Sequence, residues 1–175
     1  KSNSDSRWYH EGGGTSRFDA TQTCASLPNA NEITWYVSKG EPHWDADGVW
    51  ATMGHLYKGG MWLKKKAYIV SFSSEHMVPP FSAVDMRVHN FSSSNSTIIN
   101  GLPLATEINK FFFLPALGKY VSGHLQQVGV YGYYWSSSSN PVNSTPTAYL
   151  IYFSNSTIQA TNTYRTEGCR VQPFE

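Results

Sequence analysis

The stretch Thr147-Ala148-Tyr149-Leu150-Ile151-Tyr152-Phe153 decides how the last third of this chain folds. Its aromatic and β-branched residues favour a strand, and a strand sends alternate side chains to opposite faces. Tyr149, Ile151 and Phe153 therefore form one row, and Ala148, Leu150 and Tyr152 the other. If one face is buried, the second row leaves a Leu and a Tyr outside, which suits a partner surface. A strand covered on both faces by long loops is the alternative. Around it, Gly129–Trp135, Ser156–Thr161 and Cys169–Phe174 also read as short strands, separated by Ser, Asn, Pro and Gly turn chemistry.

Towards the N-terminus the pattern changes. Ser16 with Asp19 three residues on resembles a capping box, and a short helix is expected through Ala20 to Ser26. Asn29 followed by Glu32 starts a second helix, with Ala30, Ile33, Tyr36 and Val37 on one face. Gly40 supplies its stop and Pro42 lies just beyond. From Gly48 to Ser73, glycines divide aromatic and β-branched residues, so Met61-Trp62-Leu63 and Ala67–Phe72 read as strands flanking Lys64-Lys65-Lys66. Residues 73–110 form a long irregular insertion containing Pro79-Pro80 and a Ser/Asn/Thr tract, a length usual for a binding loop or an insertion. Phe111-Phe112-Phe113-Leu114 then restores the core.

The 175 residues suit one domain spanning 1–175. Aromatics make up 15% and charged residues 14%, so neutral Ser, Thr and Asn must cover much of the surface, as in antibody-type loops. A net charge of +1 gives no reason to expect nucleic acid. The lysine run reads as a solvated strand or turn. No apolar stretch approaches the roughly 20 residues that cross a bilayer, so no membrane insertion of this domain is expected. The chain starts at Lys1 and reads as a mature fragment whose targeting segment has been removed. Cys24 and Cys169 are either a bridge joining the two ends or two buried thiols.

No catalytic constellation shows in the sequence. The six histidines lack zinc-site spacing, and no nucleophile elbow, P-loop or dinucleotide fingerprint occurs. Glu41, Asp45 and Asp47 resemble part of a calcium loop but leave the pattern unfinished, so a hydrogen-bonded turn is the better reading. Sequons at Asn90, Asn95, Asn143 and Asn155 report polar loops, or glycans in a eukaryotic secreted protein.

Gly132-Tyr133-Tyr134-Trp135-Ser136-Ser137-Ser138, Ala148–Phe153, Arg165 and Gly168-Cys169-Arg170-Val171-Gln172-Pro173-Phe174 together resemble the C-terminal signature of the Fibrobacter succinogenes major paralogous-type domain. Cys24–Glu32, Pro42–Asp45 and Trp50–Gly60 are similar to the same domain in surface and pilus-tip proteins of Gram-negative gut bacteria. The resemblance fails across roughly 74–109. It implies an α+β, C-type-lectin-like fold related to the formylglycine-generating enzymes, with two short helices near the N-terminus and a mostly antiparallel β C-terminal half. Cys169 departs from the pattern, which carries an aromatic there.

Several relatives in that family are variable proteins of diversity-generating retroelements, and the Asn, Ser, Thr and Tyr between 129 and 171 fit such a candidate variable region. On that analogy Trp135, Ala148, Tyr149, Ile151, Phe153, Arg165, Gly168 and Val171 are scaffold. Tyr133, Asn140, Asn143, Leu150, Tyr152, Ser154, Ser156, Thr161, Asn162 and Tyr164 are the ligand-facing candidates. The expectation is a non-enzymatic adhesin on a bacterial surface, part of a larger surface protein or pilus, binding an unknown protein or glycan receptor. No cofactor and no metal ligand is expected. A calcium-dependent carbohydrate-binding lectin module is the alternative.

Overall fold

The computed structural model describes residues 24–142 and 146–175. The second predicted helix forms as α1 (Ala30–Lys39). Asn29 accepts from the Asn31 and Glu32 backbone N–H groups, and Glu32 reaches back to the Asn29 N–H, closing a capping box. The Gly40 N–H ends the helix on the Tyr36 carbonyl. Ala30, Ile33, Tyr36 and Val37 are buried, as their spacing requires, but so are Asn31, Thr34 and Trp35.

The far side of α1 is covered by the 65–110 segment, held there by polar side chains. Asn31 donates to the Ser74 carbonyl at 3.2 Å and to Asp85 at 2.9 Å, and accepts from the Met86 N–H at 2.8 Å. Thr34 accepts from the Val78 N–H, and the Trp35 indole donates to the His76 carbonyl. With its backbone groups paired in this way, the irregular chain can enter the interior and contribute Met77, Val78 and Met86 to the core. Each such fully buried side chain adds roughly 1.5–3 kcal/mol of hydrophobic stabilisation.

Among the described residues ten strands form three sheets. β1 (His43–Thr52), β2 (His55–Lys64), β4 (Ile99–Asn100) and β5 (Phe111–Pro115) make one, in the order β4-β1-β2-β5. β3 (Ser93–Asn95), β8 (Gly132–Ser139), β9 (Thr147–Phe153) and β10 (Ile158–Tyr164) make the second, in the order β3-β10-β9-β8. β6 (Lys119–Val121) and β7 (His124–Gln126) form a small hairpin. Tyr149, Ile151 and Phe153 of β9 face the core with Tyr134, Ile158 and Ala160. Gly132 is required there, because a methyl group in its place would overlap the Phe153 ring.

This architecture corrects the expected α+β, C-type-lectin-like arrangement. Of the described residues 41% are in strands and 11% helical, with one α-helix among them, and strands occupy both halves rather than the C-terminal one. Of the first predicted helix only Cys24–Ser26 are described, and they lead into a turn. Ala67–Phe72 is not a strand. Lys66–Tyr68 makes a 3-10 turn and Ser71 takes a left-handed φ of 62°, which breaks any extended run. Cys169–Phe174 forms no strand either. Gly168 and Arg170 make single bridges to Tyr120 and Tyr134, and the Cys169 N–H turns back to the Glu167 carbonyl.

Candidate functional site

The outer face of β8-β9-β10 is set by register. Tyr133 of β8 lies opposite Tyr152 of β9, which lies opposite Gln159 of β10; Trp135, Leu150 and Thr161 form the next row. Tyr131 precedes β8 with the same parity as Tyr133 and joins this face. The Tyr131 and Tyr152 rings are stacked, 5.6 Å apart, and Tyr133 lies 5.2 Å from Tyr152 and 6.2 Å from Tyr131. The three rings form one half-exposed cluster.

Neighbouring groups hold that cluster in place. Gln127 adopts a left-handed φ of 63°, and its carbonyl accepts from the Val130 and Tyr131 N–H groups, which fixes the approach to β8. Its side-chain oxygen accepts from the Tyr133 hydroxyl at 2.7 Å. The Lys119 ammonium sits 4.7 Å from the Tyr133 ring centroid and 2.6 Å from Glu167. Burial, reinforced by the neighbouring tyrosines, pushes the Tyr133 hydroxyl well above the usual phenol range, and burial also raises Tyr152. Both hydroxyls are therefore neutral donors at physiological pH.

Of the candidates read from the sequence, the fold brings Tyr133, Tyr152 and Thr161 to this face. Leu150 shares it by register, but the folded chain covers it and leaves it 1% exposed, so its expected ligand-facing place is corrected. Asn140, 2% exposed, is also corrected. Its backbone N–H donates to the Thr147 carbonyl and its side chain accepts from the Val142 N–H, so it shapes the β8–β9 connection. Ser154, 4% exposed, accepts from the Ser156 N–H and works in the β9–β10 turn, a third correction. Ser156 is exposed in the same turn.

Asn162 and Tyr164 have the opposite parity to Thr161 and belong to the other side of β10, away from the tyrosines. With Asn90, Phe91 and Ser92, Thr161 and Asn162 line an open hollow of about 350 Å³. Asn143 lies outside the described residues. The sequence reading passed over Tyr131, Gln127, Lys119 and Gln159. The Tyr131-x-Tyr133 spacing already carried the signal for the first of these.

The other candidate chemistry resolves differently. Asp45 accepts from the Asp47 and Gly48 N–H groups and from the Trp62 indole, so the expected turn is instead a side-chain-bonded register shift within β1. Among the described residues, no three His, Cys, Asp or Glu side chains gather to hold a metal. Both cysteines are free thiols, and burial pushes Cys169 up to about 12, far from thiolate reactivity. Arg165 donates to the Thr147 carbonyl and fastens β10 to the start of β9. No helix among the described residues is long and apolar enough to cross a membrane. Compared with protein-family models, curated proteins and solved structures, the chain matches none.

Proposed function

We propose that this chain is a non-catalytic recognition domain that binds a receptor through the Tyr131/Tyr133/Tyr152 cluster and the Gln159 and Thr161 side chains beside it. The observation that carries the reading is the cluster itself: three tyrosines gathered, half-exposed, on one face of the second sheet. Tyrosine supplies large amphipathic contact area at low entropic cost, and Gln and Thr add adaptable hydrogen bonds. Strands position Tyr133 and Tyr152, and the turn at Gln127 fixes Tyr131 beside them, which reduces the ordering cost of binding.

The receptor is a surface protein or glycan, and the domain works outside the cell as part of a larger bacterial surface or pilus protein. That placement rests on the C-terminal motifs that resemble the Fibrobacter succinogenes major paralogous-type domain, as does the proposal that codons of the 129–171 region are diversified.

The test is adhesion of the purified domain to arrayed glycans and to intact host and bacterial cells, comparing wild type with the Tyr131→Ala/Tyr152→Ala double variant. The expected result is at least a tenfold loss of binding, about 1.4 kcal/mol, with the Tm within a few degrees of wild type. Undiminished adhesion by a folded double variant refutes the reading.

A further inference from the structure

The β1–β2 ribbon extends beyond the sheet that anchors it. β4 pairs with β1 only at His43 and Trp44, and from Val49 to Thr52 β2 is the sole strand beside β1 among the described residues. Met53 and Gly54 form the two-residue turn, with φ values of 50° and 78°. Such a turn makes Thr52 and His55 a hydrogen-bonded pair, so Trp50 and Tyr57 form the next one. The N–H and C=O groups of Val49 and Ala51 must then point away from β2. None of them meets a hydrogen-bond partner among the described residues. Val49 is 60% exposed and Leu56, opposite Ala51, is 76% exposed.

Beyond the register shift between Asp45 and Val49, this edge carries neither of the chemical devices, charge and proline, that usually prevent strand pairing. Gly48-Val49-Trp50-Ala51-Thr52-Met53-Gly54 contains no charge and no proline. The adjoining charge, Asp47, is paired within its own hairpin to Lys58 at 2.9 Å. A two-stranded ribbon is also marginal by itself and gains stability from a third strand.

We propose that this edge pairs with the same edge of a second copy of the chain, antiparallel and centred on Trp50. That register sets Val49 against the second copy's Ala51, with both outward N–H groups meeting both outward carbonyls, and sets Gly48 against Thr52. In the Val49/Ala51 and Gly48/Thr52 rows a larger residue meets a smaller one, Trp50 faces its own symmetry mate, and no like charges oppose each other. A partner strand rich in charge gains nothing from this neutral edge, whereas the edge is complementary to itself. The result is a four-stranded sheet with two-fold symmetry, which makes a binding domain bivalent. The inference is independent of where the ligand binds.

The experiment is sedimentation velocity on the full chain over a dilution series from the millimolar to the nanomolar range, with amide hydrogen exchange at both ends of the series. Wild type is expected to shift from dimer to monomer on dilution, with the Val49 and Ala51 amides protected only in the dimer. Ala51→Pro removes one outward donor and leaves the β1–β2 ladder intact, so it should be monomeric throughout with a near wild-type Tm. Ala51→Thr retains the donor and should still dimerise. A wild-type monomer at every concentration overturns the proposal, as does a dimer in which the Val49 and Ala51 amides exchange freely. Should Ala51→Pro fail to fold, the wild-type exchange pattern alone decides between these outcomes.

Discussion

Tyr131 and Tyr152 lie with their ring planes 19° apart, although one precedes β8 and the other sits within β9. A ring pair in this geometry is worth about 0.5–1.5 kcal/mol beyond its area. A double-mutant cycle to Ala at the two positions, followed by urea unfolding, should return a coupling of that size. Additive losses would show that the rings touch without interacting.

Leu150→Ala should cost about 2–5 kcal/mol of stability, the range for a truncated core aliphatic. Receptor binding by the fraction that remains folded should be unchanged. Unfolding and binding measured on the same sample separate the two effects.

How far the sequence could be read depended on how local the deciding chemistry was. The Asn29/Glu32 pair and Gly40 bracket α1 within a dozen residues, and those bounds hold. The alternation in β9 assigns its two rows correctly. Alternation cannot show what covers the outer row, however, and Leu150 is sealed for reasons that lie outside its own strand. Asn140 and Ser154 looked like exposed polar groups, but each bonds backbone within two residues of itself, a habit of Asn and Ser in turns that composition does not distinguish from a free side chain. The expected Cys169–Phe174 strand failed because Arg170 meets β8 at a single bridge, and the one such bridge to β6 among the described residues is made just before it, by Gly168.

Asn31 is fully buried and joins Ser74, Asp85 and Met86. Asn31→Ala leaves the buried Met86 N–H without its acceptor, while Ser74 keeps Asn29 and Asp85 keeps Arg87, and should cost about 1–3 kcal/mol. Limited proteolysis should then cut first within residues 73–90, where the wild type resists.

The Arg87 guanidinium and backbone N–H, helped by the Asn31 amide, hold Asp85 down at about 2. A carboxylate depressed in the folded state contributes stability above its ordinary range and loses it as pH falls through the folded value. The Tm of the wild type should therefore fall between about pH 4 and about pH 2. Asp85→Asn, already weaker at neutral pH, should show a flatter acid limb. Parallel limbs for the two proteins would remove Asp85 from the account.

Met53 occupies a left-handed position that Asn or Gly fills more easily. Met53→Asn should raise stability by about 1 kcal/mol, even with loss of the Tyr120 hydroxyl contact to its sulfur. Thermal unfolding of the two proteins measures the difference.

β3 pairs with β10 across a long separation in the chain: Ser93 meets Ala160 and Asn95 meets Ile158. During synthesis Ser93–Asn95 leaves the ribosome well before its neighbour β10 exists. Closure of the second sheet is therefore a non-local event that waits for β10, so assembly should be slow relative to helical proteins of this size, with the unpaired strands vulnerable to aggregation until then.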